Sequence, residues 1–238
     1  MSLTRDENVF MARLAEKAER YEDMVQMMRT VAQMGSELNP DERNLLAMAY
    51  KHSVGSRRQA WRAVGTLEER EGVKGPVYQQ LLDTYRTKVE DELNFRCNEI
   101  LDVLKHELIP RASSPESRVF YHKMKGDYFR YLAEFCKGQN HSRVASEAHD
   151  AYQMASDIAT NELTPTDPVR LNLALNFSVF YYEVFSAPEK ACLLAKAAFN
   201  DALTEMDELR SDEYEDVTTI MQLLRDNLTL WTGDMKQE

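Results

Sequence analysis

Three cationic side chains share one face of a predicted helix, and their spacing suits the binding of an anion. The helix runs from Pro40 to about Arg70, and within it Lys51, Arg58 and Arg62 follow at intervals of seven and four residues. At about 100° per residue, Lys51 and Arg58 lie within about 20° of each other, and Arg62 lies about 40° from Arg58. No acidic residue interrupts this stripe. The stripe is either an anion-binding strip or an ordinary solvated helix face, and the spacing alone leaves both interpretations open.

A second predicted helix carries two cations and an acid on one face. Lys123, Asp127 and Arg130 are four and three residues apart, and Tyr131 lies at the edge of the same face. Asp127 can orient Arg130 because residues three apart are neighbours on a helix. An oriented guanidinium beside a phenol donor suits a tetrahedral dianion, on which several charge-assisted hydrogen bonds can converge. The alternative is an aromatic core helix with surface cations.

Two further predicted helices each carry one asparagine, Asn176 or Asn227, within an otherwise apolar stripe, and Glu183 follows Asn176 by seven residues. The apolar members of the two stripes are Leu175, Val179, Phe180, Ile220, Leu223 and Trp231. An amide in such a stripe is costly unless it has hydrogen-bond partners. Each amide can donate to a carbonyl and accept from an N–H. The two stripes either grip an extended ligand or contain core asparagines that are satisfied internally.

The composition narrows the class of protein. The chain has 238 residues and a net charge of -11, and this acidic excess argues against nucleic acid as the main partner. Its 8 Gly and 7 Pro leave little room for the turns of a β-sandwich or barrel. The three cysteines are far apart and lack CxxC spacing, which predicts neither a disulfide framework nor a zinc site. No apolar run approaches the roughly 20 residues of a spanning helix, so we expect a cytoplasmic protein without membrane insertion.

Helical periodicity runs almost from end to end and predicts an all-α fold. The predicted helices cover about residues 6–20, 21–34, 40–70, 77–107, 116–136, 143–162, 169–183, 189–209 and 212–232. Short connections predict that sequential helices pack as antiparallel neighbours. No change of composition marks a linker, so we expect a single domain over residues 1–238 with a short tail at 233–238.

Motifs for common enzyme chemistry are absent from the sequence. It contains no phosphate loop, dinucleotide fingerprint, nucleophile elbow or HExxH motif. None of the five histidines has a glutamate three residues before it, as a ferritin-like metal bundle requires. The sequence therefore predicts no catalytic site, no metal and no cofactor.

Taken together, these segments resemble the 14-3-3 family over nearly the whole chain. The resemblance is carried by residues 43–46 (RNLL), 54–58 (VGSRR), 123–128 (KMKGDY), 173–183 (LALNFSVFYYE) and 221–231 (MQLLRDNLTLW). It implies nine antiparallel α-helices, a cup-shaped homodimer, and a groove in each subunit that binds phosphoserine or phosphothreonine motifs of partner proteins.

The resemblance also implies a role for each candidate residue. The phosphate pocket would consist of Lys51, Arg58, Arg130 and Tyr131, and the ligand backbone would be held by Asn176 and Asn227. Further groove residues would be Arg62, Lys123, Leu175, Val179, Glu183, Ile220, Leu223 and Trp231. The dimer interface would join Arg20 and Asp23 to Tyr85, Lys88 and Glu92. Thr219 departs from the family, which usually has leucine at this point of the groove wall.

These observations predict a non-enzymatic adaptor that clamps phosphorylated segments of other proteins. It would act as a homodimer, with pairing to related subunits left open, and would neither bind nucleic acid nor insert into a membrane. The alternative is a tetratricopeptide-like helical scaffold that binds peptides without needing phosphate. An enzyme of unknown type is a third class. Catalytic turnover that persists after the loss of Arg58 would reveal it.

Overall fold

The computed structural model describes residues 3–71, 75–209 and 211–235, and over these ranges it contains nine α-helices and no strand. The helices are α1 (Arg5–Lys17), α2 (Tyr21–Gln33), α3 (Pro40–Glu71), α4 (Pro76–Val103), α5 (Pro115–Ala133), α6 (Gly138–Glu162), α7 (Pro168–Glu183), α8 (Pro188–Glu205) and α9 (Ser211–Asp234). The predicted all-α class and number of helices are confirmed for this part of the chain.

Prolines and short polar caps begin most of the helices. The helices that start at a proline are α3, α4, α5, α7 and α8, where the missing N–H costs nothing because the first turn has no intrahelical acceptor for it. Ser114 caps α5 and Asp167 caps α7, each by accepting backbone N–H groups of the first turn. These local signals explain why the predicted breaks agree with the observed starts of these helices.

Helices α1, α5 and α8 end three or four residues earlier than predicted, and two further boundaries differ for reasons that the backbone shows. Helix α6 begins at Gly138 rather than near Arg143, because Gly138 itself takes up the turn with φ +57°. Helix α4 ends at Val103 rather than near Glu107, and a π-helical turn (Leu104–Leu108) and a 3-10 turn (Ile109–Arg111) follow it. Pro110 has no N–H with which to continue the α pattern. Residues 72–74, which belong to the predicted break before α4, and the tail residues 236–238 lie outside the described residues.

The first of two compact units contains residues 1–111. Its helices pack as sequential pairs from α1 to α4 around a core that includes Met24, Met28, Leu46 and Leu93. Ion pairs join α2, α3 and α4 beside this core; their members are Glu22, Arg29, Arg57, Glu92, Arg96 and Glu99. Because Arg57 is held by α2 and α4, these contacts fix the rotation of α3 about its own axis.

The second unit contains residues 112–238, and α7 is its central helix. One apolar cluster lies between α7 and the α5–α6 pair and includes Val119, Tyr152 and Phe177. Another lies between α7, α8 and α9 and includes Ile220 and Trp231. Since α7 packs on both sides, it carries apolar residues around most of its circumference. In neither unit does the described chain contain a helix long and apolar enough to cross a bilayer.

Candidate functional site

The buried carboxylate of Asp127 organises the polar side chains of the second unit. Its Oδ2 accepts a hydrogen bond from Lys123 Nζ at 2.9 Å. Its Oδ1 accepts from the Tyr152 hydroxyl at 2.6 Å and from Asn176 Nδ2 at 2.9 Å, and lies 3.8 Å from Arg130 Nη2. One carboxylate therefore joins α5, α6 and α7 and orients a side chain on each of them.

Arg130 is the most deeply placed of the predicted phosphate-binding cations, with only 6% of its surface exposed. Its Nε donates to the Tyr152 hydroxyl at 3.3 Å, and its Nη1 donates to Glu183 Oε2 at 3.2 Å. Its guanidinium carbon lies 4.8 Å from the centre of the Tyr131 ring. These contacts hold the guanidinium in one orientation, which reduces the entropy lost when it binds an anion.

The charges in this cluster support one another. Burial by itself raises the pKa of Asp127, but Lys123, Arg130 and the Tyr152 hydroxyl outweigh burial and hold that pKa below its usual range. Burial lowers the pKa of Arg130, but Tyr152, Tyr131 and Asp127 raise it well above its usual value. Burial and the neighbouring Asp127 both raise the pKa of Tyr152. At neutral pH the cluster thus contains an ionised carboxylate, a charged guanidinium and a neutral phenol.

Tyr152 was assigned no role by the sequence analysis, and the signal that could have revealed it is Gly126. A Cβ at Gly126, in the middle of α5, would lie 2.7 Å from Cδ1 and 2.8 Å from Cε1 of the Tyr152 ring. Real Cβ atoms do not approach other carbons so closely. The glycine therefore allows the tyrosine ring to pack directly against α5.

We expect Gly126→Ala to lower the free energy of unfolding by about 1–3 kcal/mol, because the added methyl group overpacks the contact with Tyr152. The loss should appear although alanine is the better helix former by about 1 kcal/mol. Gly65→Ala is the matched control, since a Cβ at Gly65 meets nothing within 4 Å, and it should stabilise the protein. The measurement is urea-induced unfolding, and equal stability of the two variants would contradict the tight packing of Tyr152.

The predicted groove residues of α7 and α9 lie on two helices that pack against each other. Leu175 and Val179 pack against the apolar cluster that contains Ile220 and Trp231, while Leu223 is exposed. The Trp231 ring stacks on Tyr182 with 5.1 Å between ring centres. The structure thus brings Leu175, Val179, Ile220 and Trp231 together within one unit, and Leu223 lies outside this cluster.

The two asparagines and Thr219 have different surroundings. Asn176 donates to Asp127 and is therefore satisfied in part within the chain. Asn227 is half-buried, and its side chain makes no hydrogen bond to another described residue. The Thr219 hydroxyl donates to the Glu215 carbonyl at 2.9 Å, one turn earlier in α9. Side-chain hydrogen bonds within the described chain thus satisfy one amide N–H of Asn176 and none of the side-chain polar groups of Asn227.

The cations predicted on α3 belong to the first unit. Lys51 and Arg62 are exposed and Arg58 is half-buried. Within the described ranges Lys51 forms no ion pair with a carboxylate. By contrast, Arg57, which lies off the stripe, is paired with Glu22 at 2.8 Å and Glu92 at 3.1 Å. Arg57 therefore has a structural role in α3, and it lies on a different face of the helix from Lys51.

The residues predicted at a dimer interface all lie on the surface of the first unit. Arg20 and Asp23 form an exposed ion pair with each other. Tyr85, Lys88 and Glu92 line one side of a cleft of about 250 Å³ between α3 and α4. Exposed apolar side chains on α1 and α4 lie in the same unit; they are Phe10, Leu14, Val77, Tyr78 and Leu81.

The chemistry that this arrangement supports is recognition of an anion by oriented cations and of a polar backbone by amides. The described residues contain no group of three or more His, Cys, Asp or Glu side chains that could hold a metal ion.

Comparison with known proteins identifies similar chains. A family model described as 14-3-3 protein matches residues 11–232. The 14-3-3 protein epsilon of Drosophila melanogaster is 55% identical over 235 residues, which are 98% of this chain and 90% of that protein. The 14-3-3-like protein GF14 psi of Arabidopsis thaliana is 56% identical over 238 residues, covering 99% and 93%. The checkpoint signal transducer rad24 of Schizosaccharomyces pombe is 55% identical over 236 residues, covering 98% and 87%.

Proposed function

Because this chain belongs to the 14-3-3 family and therefore has its adaptor role in signalling, we propose that it works by binding phosphoserine and phosphothreonine segments of partner proteins. The observation that carries the proposal is the buried, oriented guanidinium of Arg130. A guanidinium has five N–H groups, and within the described residues Arg130 uses one on Tyr152 and one on Glu183. The other three suit a phosphate, which presents several acceptor oxygens.

The charges of the second unit support the proposal that cations of α3 also bind the phosphate. Lys123 and Arg130 are offset by Asp127 and Glu183, their bonded carboxylates. A phosphate that carries about -1.5 to -2 charges needs additional positive charge. We therefore assign phosphate binding to Lys51 and Arg58 together with Arg130 and Tyr131.

We assign the remaining contacts with the bound segment to residues of α3, α5, α7 and α9. Asn176 and Asn227 bind the backbone of the segment. The side chains that flank it are Arg62, Lys123, Leu175, Val179, Glu183, Ile220, Leu223 and Trp231. This set combines apolar side chains with cations, which suits a polar phosphopeptide with scattered apolar residues.

We propose that the protein acts as a homodimer, and that related subunits can replace one copy. Exposed apolar side chains on α1 and α4, together with the cleft beside Tyr85, support this proposal because such surface is normally covered by a partner. The contact joins Arg20 and Asp23 of one subunit to Tyr85, Lys88 and Glu92 of the other. Two linked binding sites raise the effective concentration for doubly phosphorylated partners. The proposal places this adaptor in the cytoplasm and assigns it no catalysis.

The test is a titration of one fluorescent peptide in three forms that carry phosphoserine, serine or glutamate at the same position. We expect the phosphoserine form to bind at least about a hundredfold more tightly than the serine form, because each charge-assisted hydrogen bond contributes about 1.5–3 kcal/mol. Equal affinities would overturn the proposal. Competition by free phosphoserine separates it from a phosphate-independent helical scaffold, in which binding would persist.

A further inference from the structure

We infer that Tyr152 and Asp127 are positioning residues that couple phosphate binding to binding of the ligand backbone. The inference rests on the proposed function, because Arg130 and Asn176 bind ligand only if that function is correct. It assigns a role to two buried residues for which the family resemblance supplied none.

A single carboxylate oxygen is shared by both parts of the site. Asp127 Oδ1 accepts from Asn176 Nδ2 at 2.9 Å and from the Tyr152 hydroxyl at 2.6 Å. The same oxygen lies 3.8 Å from Arg130 Nη2. A displacement of this oxygen therefore changes the surroundings of the phosphate-binding arginine and of the backbone-binding amide together.

The Tyr152 hydroxyl links the two parts of the site, because it donates one hydrogen bond and accepts another. It donates its one hydrogen to Asp127 and accepts from Arg130 Nε at 3.3 Å. Because a hydroxyl has one donor and two lone pairs, this pattern fixes the direction of the O–H bond. Loss of the hydroxyl breaks both hydrogen bonds and leaves the Nε of a buried arginine without this acceptor.

The position of the hydroxyl is fixed by packing. Tyr152 is completely buried, and its ring stacks on Phe177 with 5.2 Å between ring centres. On its other side the ring meets α5 at Gly126. A ring held between helices cannot follow a displaced partner, and hydrogen bonds in such a buried network strengthen one another.

The same network determines how Asn176 faces a ligand. Its Nδ2 is committed to a carboxylate oxygen, and rotation of the amide by 180° would place its own oxygen against that carboxylate. The amide oxygen is thus kept available to accept an N–H of a bound backbone. Arg130 and Asn176 are consequently oriented by one pair of residues rather than independently.

The first experiment compares Tyr152→Phe with Tyr181→Phe. We expect Tyr152→Phe to lower phosphoserine-peptide affinity about tenfold. Tyr181 is the matched control because its ring stacks on the same Phe177 at 4.8 Å, while its hydroxyl contacts His149 and neither Arg130 nor Asp127. Its removal should change affinity by less than about twofold. Thermal unfolding of both variants, with titrations well below the transition, separates affinity from stability.

The second experiment tests the coupling with a double-mutant cycle of Tyr152→Phe and Asn176→Ala. Each single substitution should lower affinity about tenfold, and the double substitution should lower it clearly less than the hundredfold product. A merely structural role of Tyr152 would not produce this non-additivity. Effects that multiply would overturn the coupling.

The outcomes also separate this inference from the proposed function. A wild-type protein that binds the serine and phosphoserine peptides equally would overturn both. A wild-type protein that discriminates, with Tyr152→Phe binding as tightly as wild type, would overturn this inference alone. A Tyr152→Phe protein that fails to fold would place the residue in the fold rather than in the site, and would also overturn it.

Discussion

Replacing Lys51 by glutamate is expected to weaken binding of a phosphoserine peptide by at least about a hundredfold. The substitution removes a charge-assisted hydrogen bond, which contributes about 1.5–3 kcal/mol, and it adds repulsion between the new carboxylate and the dianion. Lys51 is exposed, so the free energy of unfolding should change little. Fluorescence titration at constant ionic strength measures the effect.

Lys105→Glu is the matched control for this prediction. Lys105 is also an exposed lysine of the first unit, in the π-helical turn after α4, and its replacement changes the net charge by the same amount. We expect its affinity to stay within about twofold of wild type. Equal losses in the two variants would show that the overall charge, rather than a phosphate contact of Lys51, determines affinity. Higher salt should reduce the effect of Lys51→Glu, because salt screens exposed charges.

Replacing Asp127 by alanine is expected to produce the largest loss of stability, about 3–5 kcal/mol, because the buried cations then lack their shared carboxylate. The substitution removes the acceptor of Lys123, Tyr152 and Asn176 together. Urea-induced unfolding followed by circular dichroism measures the loss. The control is Asp157→Asn on the exposed side of α6, where the Asp157 carboxylate accepts an exposed hydrogen bond from the Gln153 side chain. This substitution should change stability by less than about 0.5 kcal/mol.

The loss caused by Asp127→Ala should depend on pH. The pKa of Asp127 is lower in the folded protein than its ordinary value, so the ionised carboxylate stabilises the fold at neutral pH. This contribution is lost as the pH falls from about 4, the unfolded value, through the lower folded pKa. The stabilities of wild type and Asp127→Ala should therefore converge in acid. A difference that stays constant down to pH 2 would contradict the proposed role of the carboxylate.

Helix content and most boundaries could be predicted because their signals are local. Prolines at 40, 76, 115, 168 and 188 each begin a helix close to the predicted break. The cation stripe of α3 likewise required only the helical repeat, since Lys51 and Arg58 share a face on any regular helix. Gly138 misled the prediction because a glycine marks either a break or the turn into the next helix, and only the backbone shows which.

The partners of the site residues could not be predicted in the same way. Asp127 and Arg130 form the expected ion pair between helix neighbours, with 3.8 Å between Oδ1 and Nη2, but Asp127 has closer partners in Lys123, Tyr152 and Asn176. Two of these three belong to other helices. Periodicity indicates which face of a helix a residue occupies and contains no information about the residue opposite it.

The sequence by itself therefore determined the helices, the faces of their polar residues and, through the family's motifs, the adaptor role. Tertiary structure alone decided that Tyr152 of α6 lies between Asp127 and Arg130 of α5, and that Glu183 at the end of α7 bonds to Arg130. The physical reason is the distance along the chain over which each kind of interaction acts. Backbone hydrogen bonds and caps act within one or two helical turns, whereas a buried polar network forms only where packed helices bring distant residues within hydrogen-bond distance.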